Sequence, residues 1–95
     1  MNSEPCSKVI RTTGTEEAFE GRLNIAAIES AINAHCLDTV NLRDGRVMLV
    51  DDDGVEKDLP INLTATALYH SVCRPGTTHQ IRGDVAVVHD ADFRA

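Results

Sequence analysis

Four consecutive apolar residues, Val85-Ala86-Val87-Val88, constrain this chain more than any other stretch. β-Branched side chains favour extended backbone, and a strand apolar on both faces must lie mid-sheet or be covered on both sides. Ile81-Arg82-Gly83-Asp84 leads into it, and the clearest helix start precedes that. Pro60 holds Leu59 extended, Asn62 suits an N-cap, and Ala65, Leu68, Tyr69 and Val72 recur at i, i+3, i+4 and i+7 as one buried face. Pro75 and Gly76 end this helix by Arg74, leaving Thr77 to Gln80 as loop.

Upstream, Met1 to Ser7 is polar and aperiodic, which predicts a disordered tail before a single domain over 8–89 and a short tail over 90–95 on which Phe93 folds back. Lys8 to Thr12 is β-prone. Thr13 to Glu16 has capping-box spacing, so a helix is expected from about residue 15 to Ala34 or His35, firm only from Leu23 because Gly21 weakens its first turns. Its apolar stripe is Ala18, Gly21, Ile25, Ile28, Ile32 and Cys36. Leu37 to Val50 reads as a hairpin about a two-residue turn at Asp44-Gly45, pairing Leu42 with Val47 and Val40 with Leu49. A second turn at Asp53-Gly54 would return a short strand over Val55 to Leu59. The expected class is α+β, a small antiparallel-rich sheet with two helices on one face, in the order β-α-β-β-(β)-α-β of a ferredoxin-like fold. That fold puts its last strand at an edge, whereas Val85 to Val88 reads as internal.

Composition narrows function. A chain of 95 residues supports one core and leaves little room for a cleft enzyme. Phe19, Tyr69 and Phe93 are the only aromatics and the net charge is −6, which opposes nucleic-acid binding. No apolar run approaches a membrane span and the first residues lack a signal-peptide pattern, so a cytoplasmic protein is expected. Cys6, Cys36 and Cys73 are odd in number and fit free thiols.

Several constellations bear on chemistry. His35, Cys36, His70 and Cys73 are zinc-ligand types without diagnostic spacing, and Cys36 falls on the apolar stripe. Asp51-Asp52-Asp53-Gly54 lacks the alternation of an EF-hand loop and reads as a solvated turn. Neither metal nor cofactor is expected. Cys73 with His70 or His79 would make a minor enzyme, but a helix C-terminus raises a thiol pKa and so disfavours the nucleophile. The remaining candidate is the one basic island in an acidic chain, with Arg74, Thr77, Thr78, His79, Gln80 and Arg82 as site residues. Such a loop suits either a protein partner or a small anion such as a nucleotide or phosphate.

The acidic-Gly turn, Leu59-Pro60-Ile61-Asn62, Ala65-Thr66-Ala67-Leu68 and Ile81-Arg82-Gly83-Asp84-Val85 together resemble an uncharacterised family of small bacteriophage and mobile-element proteins. Asn62, Ala65 and Thr66 with Ile81, Gly83 and Asp84 are the specific part, and the loop Cys73 to His79 departs from the family. The resemblance implies a phage or plasmid origin and an accessory role on a host protein. It brings no catalytic residues. The same residues also have a structural reading: Asn62 caps, Ala65 packs closely and Gly83 permits a turn.

Overall fold

The computed structural model describes residues 7–19, 24–73 and 75–89. Both predicted tails over 1–6 and 90–95, the fold-back of Phe93, and Arg74 lie outside them. Ser7, assigned to the tail from sequence, is buried, and its carbonyl accepts the Phe19 N–H at 3.0 Å. The elements are β1 (Lys8–Ile10), β2 (Glu16–Ala18), α1 (Ile25–Ile32), β3 (Leu37–Asn41), β4 (Arg46–Asp51), α2 (Leu63–His70) and β5 (Val85–His89). They form an α+β fold in which one five-stranded antiparallel sheet runs β2-β1-β5-β4-β3. β5 is the middle strand, as its apolar run requires, and this order is not ferredoxin-like.

The predicted helix start at Thr13 to Glu16 is instead a β-hairpin. Arg11 N–H donates to Thr15 O at 2.8 Å and Gly14 N–H to Arg11 O at 2.9 Å, with Gly14 at φ 93°. The two glutamates here are held across the strands: Lys8 holds Glu16 at 2.8 Å and Arg11 holds Glu17 at 3.0 Å. The helix begins only at Ile25, where the Asn24 side chain accepts the Ala27 N–H at 2.8 Å. It ends at Asn33, whose left-handed backbone (φ 58°) closes a Schellman motif through Asn33 N–H to Ser30 O and Ala34 N–H to Glu29 O. Cys36 therefore falls beyond the helix and is exposed, off the expected stripe.

The β3–β4 hairpin exists, but its register is one residue away from the expected one. Val40 pairs with Met48 and Asn41 with Val47, leaving a three-residue loop, Arg43-Asp44-Gly45, inside the Leu42 N–H to Arg46 O bond of 3.0 Å. Arg43 takes positive φ, and the Asn41 carbonyl oxygen Oδ1 accepts its N–H at 2.7 Å. Because side chains alternate across a strand, this slip sends Val47 and Leu49 to the face opposite Leu42 and Val40. Leu49, Val88, Ala86 and Val9 pack with Ile28 and Ile32 of α1. Leu42, Met48, Val50, Val85, Val87 and Ile10 pack with Ala65, Leu68 and Tyr69 of α2. The helices thus cover opposite faces of the sheet, not one face as expected.

The expected strand over Val55 to Leu59 is absent. Residues 52–58 form a helical turn, Lys57 N–H to Asp53 O at 2.9 Å, closed by Leu59 N–H to Gly54 O at 3.0 Å with Asp58 at φ 54°. α2 starts as predicted, on an N-cap that is also a buried tie. Asn62 is 0% exposed; its Oδ1 accepts the Ala65 N–H at 3.0 Å, and its Nδ2 donates to Ile10 O and Gly83 O, both at 3.0 Å. Thr66 Oγ1 accepts the Ile81 N–H at 2.9 Å. Gly83, at φ 84°, donates to Pro60 O at 2.8 Å, and a Cβ there would lie 2.8 Å from Leu59 Cδ1. Asp84 accepts Thr12 N–H and Arg11 Nη1, each at 2.9 Å. Asn62, Thr66, Gly83 and Asp84 thus interlock as one structural unit joining α2, β1 and the start of β5.

Candidate functional site

The loop singled out from sequence crosses the α2 side of the sheet and is held at several points. His70 Nε2 donates to the His79 carbonyl at 2.7 Å, which places a proton on that nitrogen, and the His79 ring meets Tyr69 edge-on at 5.9 Å between centroids. Ile81 is fixed by Thr66, and Arg82 donates to Leu59 O at 2.9 Å while lying 3.5 Å from the Asp58 carboxylate. A loop tied to a helix on one side and to a turn on the other presents its free side chains from a rigid base.

Opposite it stands the 52–58 turn. Asp51, with its side chain 1% exposed, accepts Lys57 Nζ at 2.6 Å and the Asp53 N–H at 2.8 Å, which fixes the start of the turn to its far end. Gly54 lies against the other wall, since a Cβ there would be 3.2 Å from Arg82 O and 3.3 Å from Asp51 O. Between turn, loop and β3 is a cleft of about 190 Å³, with Asp38, Val50, Asp52, Val55, His79 and Gln80 on its walls. Asp38 pairs with Val50, and Asp52 N–H extends the ladder to Cys36 O at 3.0 Å. Side-chain alternation therefore puts Asp38, Val50 and Asp52 on one face, the α2 side. Val50 and Ile81 are buried and form an apolar floor; Asp38 and Asp52 are exposed at the rim.

Of the predicted site residues, His79, Gln80 and Arg82 come together at this cleft. Among the described residues, Thr77 and Thr78 are not on its wall, and Arg74 lies outside them. Sequence reasoning missed Asp38, Asp52 and Val55. The signal for Asp52 was the acidic turn itself; Asp38 had none, because its meeting with Asp52 depends on the hairpin register. A wider hollow of about 620 Å³ between the β1–β2 hairpin and α1 includes Phe19 and Ala27 on its walls. Phe19 directly precedes 20–23, which lie outside the described residues.

The thiol considered as a nucleophile is engaged locally. Its neighbour is Tyr69: the hydrogen-bonding influence of the Cys73 side chain, with a smaller contribution from burial, holds the phenol above its ordinary pKa near 10. Among the described residues no three His, Cys, Asp or Glu side chains come together as a metal site. No helix among them is long and apolar enough to cross a membrane.

No family model matches the chain, and neither a curated protein nor a solved structure matches it.

Proposed function

We propose that this chain is a small non-enzymatic accessory protein of phage or mobile-element origin that binds a host protein in the cytoplasm and modulates it. The binding face is made by the 79–82 loop and the 52–58 turn. The observation that carries this reading is the convergence of His79, Gln80 and Arg82 with Asp38 and Asp52 around a preformed cleft on a rigid base. The origin is carried by the Asn62 to Thr66 and Ile81 to Asp84 motifs, and the acidic surface suits a basic partner.

The alternative, a small anionic ligand in this loop, is less well supported. Arg82 already serves Leu59 O and Asp58, and two further carboxylates stand at the rim. The enzyme reading through Cys73 places a half-buried thiol after the C-terminus of α2, where the helix dipole opposes a thiolate.

The test compares quantitative capture from a bacterial lysate by the wild-type chain and by a His79→Ala, Gln80→Ala variant. The reading predicts a partner enriched by the wild type and reduced at least tenfold by the variant. Equal enrichment by both, or no enriched protein, would contradict it.

A further inference from the structure

From the geometry of the cleft we infer that it is a receptor for one basic side chain, lysine or arginine, projecting from the protein partner. The inference rests on the binding face proposed above and names what that face recognises. Size is the first argument. A cleft of about 190 Å³ holds about six waters at ~30 Å³ each, well below the ~300–1,000 Å³ of pockets for drug-sized ligands. It has room for an extended side chain and is too small to enclose a nucleotide.

Chemistry is the second argument. A basic side chain is an aliphatic stem with a cationic head, and the walls provide for both parts. Val50 and Ile81 floor the cleft, and Val55, 64% exposed on the turn, adds apolar surface at its mouth. Asp38, directly across from Val50, and Asp52, two residues beyond Val50 along the chain, share one face of the β3–β4 ladder. Neither carboxylate is ion-paired among the described residues. The Asp38 carboxylate accepts the Thr39 N–H at 2.9 Å, which orients it without neutralising it. Asp51 is excluded from this role, because its carboxylate is buried against Lys57. Arg82 is turned to Leu59 O and Asp58, so its charge is partly met on its own side of the cleft.

Rigidity is the third. The cleft is lined by strands β3 and β4, by a turn locked through Asp51 and Lys57, and by a loop locked through Thr66 and His70. A side chain entering it would therefore meet walls already in place, which lowers the ordering cost of binding.

The experiment is an amide-resolved NMR titration of the full chain with Nα-acetyl-lysine methylamide, Nα-acetyl-arginine methylamide, the uncharged norleucine analogue and inorganic phosphate. At least one basic derivative should shift the Val50, Gly54, Gln80 and Ile81 amides saturably, with Kd on the order of 1–10 mM, as suits one side chain. Norleucine should bind at least tenfold more weakly, and raised salt should weaken the basic probe. Asp38→Asn with Asp52→Asn should weaken it at least fivefold while amides far from the cleft keep their positions. Asp52→Asn alone, which removes no contact within the described fold, serves if the double variant unfolds. Absence of saturable shifts, norleucine binding as tightly as lysine, or phosphate shifting the same amides would overturn the inference. Should these probes fail while the His79→Ala, Gln80→Ala variant still loses its partner, the binding face stands and only its basic-residue specificity falls. Should the probes bind while that variant captures its partner undiminished, the cleft stands as a receptor for basic side chains and the proposed partner face falls.

Discussion

Replacing Asn62 tests the joint on which the fold turns. In Asn62→Ala the helix loses its N-cap, a change that costs about 1 kcal/mol. Ile10 O and Gly83 O lose the donor that reaches each at 3.0 Å. Both bonds are buried, so each loss adds about 1 kcal/mol or more for an acceptor left without its partner. The sum is about 3–4 kcal/mol against a total of about 5–14 kcal/mol for a domain of this length. Melting temperature should fall by roughly 15–25 °C, and urea unfolding should show a lower midpoint at unchanged slope. Asn62→Asp supplies a control with a sign. It keeps an oxygen for the cap but turns a second oxygen toward two carbonyls, so burial and those carbonyls raise the pKa of the introduced carboxyl. A protonated Asp has one O–H for the two carbonyls, so the loss of one buried bond remains at low pH; the added, pH-dependent destabilisation should be absent below the unfolded carboxylate pKa of about 3.9 and should grow as pH rises toward the raised folded value. A loss below about 1 kcal/mol in Asn62→Ala, or an Asn62→Asp variant insensitive to pH, would refute the reasoning.

Other outcomes follow from the same geometry. Gly83→Ala should cost at least about 1–2 kcal/mol from left-handed backbone alone, with the Leu59 clash added, measured by denaturant titration. Met48→Ala and Leu49→Ala, adjacent in β4 and both fully buried, should each cost about 2–5 kcal/mol because each face has its own helix; a neutral effect in either would argue for a sheet covered on one side. Tyr69 is the one tyrosine, so its absorbance titration is unambiguous. Its midpoint should lie above 10 and fall toward 10 in Cys73→Ala, with the associated stability present below 10 and lost as pH rises through the raised value.

Much of this fold was legible because local chemistry and tertiary demand agree. Asn62 before an i, i+3, i+4 stripe reads as a cap, and Val85 to Val88 called for the middle of a sheet or cover on both sides. The failures share a physical cause. Val47 to Val50 is as uniformly apolar as β5, so facing patterns could not choose between two hairpin registers one residue apart. Two such strands require cover on both faces, and that requirement, read from β4 as well as β5, would have placed the helices on opposite sides. The Thr13 to Glu16 spacing offered a helix start, but Gly14 at positive φ and the charge pairs of Lys8 and Arg11 favoured a hairpin. For the site, the 79–82 loop was visible as an aperiodic stretch that helix and strand did not absorb. Its opposite wall was not, because Asp38 pairs with Val50 and shares a face with Asp52 only through the register that the sequence left open.

The binding face is tested most directly by site-specific photo-crosslinking. A crosslinking residue at Gln80, exposed beside the cleft, is compared in lysate with one at Ser30, exposed on α1 across the sheet. The account predicts one dominant adduct from position 80, diminished by Asp38→Asn with Asp52→Asn, and none from position 30. The same adduct from both positions, or an adduct from position 30 alone, would contradict it.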